Sequence, residues 1–298
     1  MLKSLQKAFK VKEVRDRLLY TFMMLVVIRI GCCLPIPGVD PSYLHDFFSN
    51  LQNSGMGFFN AITGGSFSSM SIFALSITPY ITSSIIMQLL TIAIPKLEEM
   101  QKDGEDGRKK IAEYTRYLTV GLALFESCAM AVGLGGKGLL LEDHRNIWGY
   151  LTVVAAMTAG SALLMWIGER ITDNGVGNGI SIVLLINIVS GTPQDMMTLY
   201  ERFMAGRSVA VATVSGIIVL AIIVAIVVFV LVLNDAERRI PVQYSKKMQG
   251  RRMIGGQSTY IPLKVNTANV IPVIFASSIM SMPVMIAQFF HVDYSTIG

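Results

Sequence analysis

The chain has 298 residues, of which 52% are hydrophobic and only 15% charged, with a mean hydropathy of +0.55 and a formal net charge of +5. That balance excludes an ordinary soluble domain and points to an all-α polytopic membrane protein. Cys32, Cys33 and Cys128 fall in apolar segments without CxxC or zinc spacing, so they read as small core residues rather than redox or metal groups. The first apolar segment is too long for a cleavable signal peptide and lacks a small-residue cleavage site.

Residues 2–12 place Leu2, Leu5 and Phe9 on one helical face and lysines on the other, as in a short amphipathic helix lying on a membrane. Seven candidate spans follow, at about 18–34, 66–94, 116–134, 148–167, 177–191, 208–233 and 268–290. The cleanest is 208–233, which holds 26 residues without a charge and is about 39 Å long at about 1.5 Å per residue. Its Val and Ile saturation reads as a lipid-facing surface. The fifth span is short, which suits a helix buried in a bundle.

The second span organises the rest. The stretch Gly64 to Pro95, GGSFSSMSIFALSITPYITSSIIMQLLTIAIP, exceeds the roughly 20 apolar residues that a plain crossing needs. Pro79 breaks it near the middle, because proline donates no backbone hydrogen bond and crowds the preceding turn. Nine hydroxyl residues, Ser66, Ser68, Ser69, Ser71, Ser76, Thr78, Thr82, Ser83 and Ser84, surround the break. In hydrocarbon every freed backbone group must find a partner, so broken helices occur only inside protein or beside a water-filled cavity. The expectation is two half-helices, about 66–75 and 79–94, lining something wet. A single Pro-kinked helix packed in a bundle is the alternative.

Lys and Arg concentrate in residues 1–17, 96–116, 169–176 and 234–266, which hold twenty of them, against four in the alternate loops and C-terminal tail. By the positive-inside rule the first set is cytoplasmic, which places the N-terminus inside and residue 298 outside. The net positive charge is then a topology signal rather than a mark of nucleic-acid binding. Two ionisable residues sit well within spans. Arg29 lies near the outer end of its helix and is expected to snorkel. Glu126 lies deep in the third span, where an acid is costly unless paired or protonated, and such residues are functional by default.

No catalytic set appears. His45, His144 and His291 lie in or beside three separate outer segments, and no two carboxylates share a span. The run NGVGNG (174–179) joins two membrane helices rather than a strand and a helix and has no following Lys, so it is not a phosphate loop. Its glycines suit a tight cytoplasmic turn. No cofactor or metal is expected, and no enzymatic activity.

The runs MSIFALSITPYITSSIIMQLLT (70–91), GEDGRKKIAEYTRY (104–117), ERITDNGVGNGISI (169–182), QGRRMIGGQSTYIPLKVN (249–266) and NVIPVIFASSI (269–279) closely resemble the SecY family, the channel subunits of the bacterial Sec protein-conducting machine. The resemblance covers essentially the whole chain, with the motifs in family order. It implies ten helices in two pseudo-symmetric halves around an hourglass pore that opens sideways to lipid. Unfolded secretory polypeptides would pass through, and membrane segments would leave sideways.

Matched motif to motif, the resemblance puts a pore ring on Ile77, Ile81, Ile180, Leu184 and Ile274. Residues four apart project from one helical face, and a narrow aliphatic ring excludes ions by dewetting. The first part of the broken element becomes a plug over about 59–74, including Phe59, Asn60, Gly64, Gly65, Ser66, Phe67 and Met70. Thr82, Glu126 and Ser278 fall in the lateral gate, where the two hydroxyls are expected to hold the carboxyl. Arg251 and Arg252, in the basic 234–266 loop, match paired arginines that dock the ribosome or the motor ATPase SecA, and planar guanidinium groups suit RNA phosphates. SecE and SecG counterparts, signal sequences and lipid complete the implied partners, in a bacterial plasma membrane.

The chain stops after the seventh of the family's ten helices. The expectation is therefore a complete first half (1–195, helices 1–5) and a truncated second half (196–298, helices 6–7 with the 234–266 loop), lacking the sixth ring position. Read without the family, a secondary transporter for a small solute is the competing class, since broken midplane helices suit one. Its coupling sites usually need buried charges, and only Glu126 qualifies. An intramembrane enzyme lacks any nucleophile–base or metal set.

Overall fold

The computed structural model describes residues 11–40, 63–134, 140–141, 145–242, 247–249, 252–254, 259–267, 272–273 and 276. Among them are seven helices: α1 (Lys12–Cys33), α2 (Thr78–Ala93), α3 (Pro95–Lys102), α4 (Glu105–Leu134), α5 (Ile147–Asn174), α6 (Gly179–Phe203) and α7 (Val209–Asp235). Four strands follow: β1 (Glu237–Val242), β2 (Lys247–Gln249), β3 (Arg252–Ile254) and β4 (Thr259–Lys264). The chain divides into two compact units, Met1–Pro193 with Phe275–Gly298, and Gln194–Ile274.

In the first unit α5 is the spine. Its Val153, Met157, Gly160, Leu164, Ile167 and Ile171 are buried at alternating spacings of three and four, the seam that a helix presents to packed neighbours. That seam meets α1, α2 and α4, and α4 also packs along α2. Gly160 permits a close approach to the segment before α2, because a Cβ there would run into the backbone carbonyl of Ile72. One apolar cluster joins Phe67, Met70, Leu75, Met130, Val153 and Met157; a second joins Ile28, Phe73, Ile77, Leu164, Ile171 and Val183. The segment 63–77 contributes to both. From within α4 Arg116 Nε donates to Glu169 Oε1 of α5 at 2.8 Å, tying the two helices together.

Among the described residues α5, α6 and α7 (from Ala210) are long and apolar enough to cross a membrane, and α2 with α3 qualifies together as a pair bent by 102°. The bend falls at Ile94, which is extended (φ −110°, ψ 111°) because the following Pro95 disfavours a helical conformation before it. The first and third predicted spans exist as α1 and α4, longer than expected because charged turns (Lys12–Arg17 and Glu105–Arg116) extend them. The fifth is not short: α6 continues through Pro193 to Phe203. The residues of the 2–12 amphipathic prediction before Val11, and nearly all of the 268–290 span, lie outside the described residues.

In the second unit α7 is exposed all round, as its composition predicts for a lipid-facing helix. The basic 234–266 segment, read from sequence only as a loop, contains two small antiparallel ribbons. β1 pairs with β4, and β2 with β3. Pro241 and Pro262 sit in the first ribbon, which tolerates them because both its strands are edges. Glu237 faces Lys264 across it, and the Arg239 guanidinium stacks 4.7 Å from the Tyr260 ring centroid.

Candidate functional site

The segment before Pro79 corrects the sequence reading. Residues 66–75 are not a half-helix but a succession of turns, and regular helix begins only at Thr78. Four positive φ angles interrupt it: Gly64 (65°), Gly65 (80°), Met70 (39°) and Ser76 (53°). Turn hydrogen bonds replace the helical ladder, Met70 N–H to Phe67 O, Ala74 N–H to Ser71 O and Ser76 N–H to Phe73 O among them. The segment after α1 adds two more backbone bonds, Ile36 N–H donating to Met70 O and Ile72 N–H to Leu34 O, both at 3.0 Å. Here hydroxyl side chains compete with the helix for its own carbonyls, as when Ser71 Oγ donates to Ser66 O at 3.2 Å.

Among the described residues the apolar side chains of this arm are packed inside protein, one of the two settings open to a broken backbone in a membrane: Phe67, Met70, Phe73, Ala74 and Leu75 are all at most 3% exposed. Of the predicted plug residues, Gly64, Gly65, Ser66, Phe67 and Met70 belong to the arm; Phe59 and Asn60 lie outside the described residues.

At the end of the arm the four described ring residues come together. Ile77, Ile81, Ile180 and Leu184 all join the second apolar cluster, Ile77 fully buried and the other three half-buried. A glycine pair sets their convergence. A Cβ on Gly179 would strike the Gly168 carbonyl, so the start of α6 lies directly on α5. A Cβ on Gly168 would lie 3.5 Å from side-chain atoms of both Ile77 and Ile180.

The NGVGNG turn holds α6 at that crossing. Asn178 Oδ1 accepts from the N–H groups of Ile180 (3.0 Å) and Ser181 (3.3 Å), capping the helix. Thr172 Oγ1 accepts from Gly179 N–H at 2.9 Å, and Thr21 Oγ1 of α1 accepts from Val176 N–H at 3.1 Å. The tight turn expected from the glycines is present, with Gly177 at φ 73°.

Polar groups behind the arm were missed in the sequence. The Asn187 amide Nδ2 donates to Ser76 Oγ at 2.9 Å, and Ser161 Oγ donates to Ser76 O at 3.4 Å. Ser190 Oγ donates to Asn187 O at 2.6 Å and accepts from Arg29 Nη1 at 2.8 Å. Arg29 therefore bonds across to α6 rather than snorkelling outward. The available signal was Asn187, a polar amide within the otherwise aliphatic run of the 177–191 span. Glu126 lies on α4 with Oε2 buried and without a hydrogen-bond partner among the described residues. Thr82 is buried on α2, which packs along α4. Ile274, Ser278 and Arg251 lie outside the described residues, and of Arg252 only the backbone, in β3, is described.

A SecY family profile matches residues 71–297. The protein translocase subunit SecY of Streptomyces scabiei is 46% identical over 301 residues, covering 97% of this chain and 68% of its own. The chain belongs to the SecY family. Among solved structures, one described as that of a protein conducting channel aligns with a TM-score of 0.55 at 21% identity, over 93% of this chain and 59% of that one. Sec61 in the canine ribosome–channel complex from the endoplasmic reticulum aligns with a TM-score of 0.53, also at 21% identity and over the same shares. At those identities the likeness shows the fold. This SecY-family chain thus spans about two thirds of the curated relative's length and 59% of the solved channel chains. It is a membrane protein of a translocation-channel family rather than of a catalytic one.

The packing of Ile77 and Ile180 against α5 depends on Gly168 having no side chain. Gly168→Ala adds a methyl at ordinary contact distance and is expected to leave ion permeability of vesicles carrying the channel unchanged. Gly168→Leu has no room without displacing Ile77 or Ile180 and is expected to raise it several-fold, by an overpacking cost of about 1–3 kcal/mol. Equal permeability in both variants would contradict this account of the waist.

Proposed function

We propose that this chain is the central subunit of the Sec protein-conducting channel of a bacterial plasma membrane, with its N-terminus cytoplasmic and no chemistry of its own. It passes unfolded secretory polypeptides across the membrane and releases membrane segments sideways into lipid. The observation that carries this reading is the convergence of Ile77, Ile81, Ile180 and Leu184 at the foot of a buried, non-helical arm. Aliphatic side chains offer an ion no ligand, so a narrow ring of them resists ions when closed. They also give way to any passing side chain without a specific contact.

Ile274 belongs to the same ring, and the arm with Phe59 and Asn60 forms the plug. Residues 1–195 form one pseudo-symmetric half of the channel and 196–298 belong to the other. SecE and SecG are companion subunits, and SecA or the ribosome supplies the drive through the basic 234–266 segment. The lateral gate uses Thr82, Glu126 and Ser278, with the hydroxyls holding the carboxyl when closed. The buried Oε2 supports a site that needs such partners, since an unmade hydrogen bond there costs roughly 1–3 kcal/mol.

Three measurements test this reading. Ile81→Asn should make reconstituted vesicles leak ions and pass precursors with weak signal sequences; an unchanged seal and unchanged selectivity would overturn the waist. Glu126→Leu should shift the open–closed balance, read as altered tolerance for weak signal sequences, and unaltered tolerance would remove Glu126 from the gate. Arg251→Glu should weaken ribosome or SecA docking, with a shallower salt dependence than wild type. Undiminished docking would exclude that contact.

A further inference from the structure

The arm is clasped at both ends by a single turn of α6. At its start, Gly64 approaches so closely that a Cβ would lie 2.6 Å from the Asn187 carbonyl oxygen and 2.9 Å from Ser190 Oγ. At its end, the Asn187 side-chain amide bonds Ser76 Oγ, and Ser161 of α5 bonds the Ser76 carbonyl. Ser190 ties the same turn to its own backbone and to Arg29 of α1. Asn187 and Ser76 are each 1% exposed, so neither has water as an alternative partner.

Two features give this clasp the character of a catch rather than of passive packing. Ser76 holds φ at 53°, a left-handed conformation that a non-glycine residue keeps only when its surroundings impose it. Asn187 Oδ1 is buried with no hydrogen-bond partner among the described residues, so the side chain is held there by one of the four hydrogen bonds it could make. Ser76 also immediately precedes Ile77, the most buried of the described ring residues. Any relaxation of the Ser76 backbone therefore moves a side chain of the waist.

We propose that Asn187 is a positioning residue whose side-chain amide latches the 64–77 arm to α6 through Ser76, with Ser161, Ser190 and Arg29 completing the clasp, and that release of this latch is a step in opening the waist. The proposal rests on the reading of Ile77, Ile81, Ile180 and Leu184 as that waist. Losing one hydrogen bond shifts an opening equilibrium roughly two- to tenfold. Asn187→Leu and Ser76→Ala should therefore each raise resting ion leak, and export of a precursor with a defective signal sequence, by such a factor.

The test uses the full chain with its companion subunits, in vesicles for leak and in cells for export. The double variant Asn187→Leu with Ser76→Ala should be no leakier than Asn187→Leu alone, because both remove the same bond; independent packing defects would multiply. If Asn187→Leu fails to accumulate, Ser76→Ala breaks the bond from its smaller side. Wild-type leak and export in the single variants, or multiplied effects in the double, overturn the latch when Ile81→Asn leaks. If Ile81→Asn is also silent, the waist itself is wrong and the latch falls with it.

Discussion

Everything in the first unit answers to one constraint: a backbone that has left the helix within a membrane protein must have every peptide group occupied. Residues 64–77 go toward meeting it with short turns, with the Leu34 carbonyl accepting from Ile72 and the Ile36 N–H donating to Met70, and with hydroxyls that bond nearby carbonyls. The neighbours then adapt to the arm. Gly160 and Gly31 have no side chain because Ile72 and Phe73 occupy the space where a Cβ would stand. The seam of α5 changes from the first apolar cluster to the second along the length of the arm. A regular helix in this place would need none of these adjustments, and would place no irregular segment above Ile77.

The arrangement of Ile77, Ile180 and Leu184, the proposed waist, follows from a second close contact, between Gly168 and Gly179. Two helices that touch through their backbones have little freedom to slide, because the contact is sterically hard rather than a layer of adaptable side chains. The Asn178 cap and the Thr172 hydrogen bond set where α6 begins, and so where Ile180 and Leu184 emerge. The NGVGNG turn thus fixes the placement of α6 through backbone geometry.

Much of this was legible in the chain itself. Pro79 among hydroxyl residues announced a break, and the Val/Ile run of 208–233 announced an exposed helix; both are as read. The helical half of the broken element was placed correctly from Pro79 onward, because proline at the start of a helix has a local signature. The other half was misjudged. Apolar composition argues for burial without distinguishing a helix from packed turns, and Met70 and Ser76 give no residue-level warning of a left-handed backbone. The extension of α6 through Pro193 was hidden for the opposite reason, since proline usually marks an end. The strands of 234–266 carry too many charges for a clear period-two pattern. Asn187 and Ser190 acquire meaning only when the arm is folded against them, a contact more than a hundred residues apart in sequence.

The uniformity of α7 has a mechanical consequence. A helix with one greasy side and one wet side resists being spun about its long axis, because turning would drag polar groups into oil. Here every azimuth between Ile217 and Leu233 presents an apolar coat, so an apolar surround exerts little torque on that stretch. Among the described residues its polar handles lie toward the ends, at Ser208, Thr213 and Ser215 on one side and Asn234 and Asp235 on the other, and a pull there has little resistance to overcome in turning the rod.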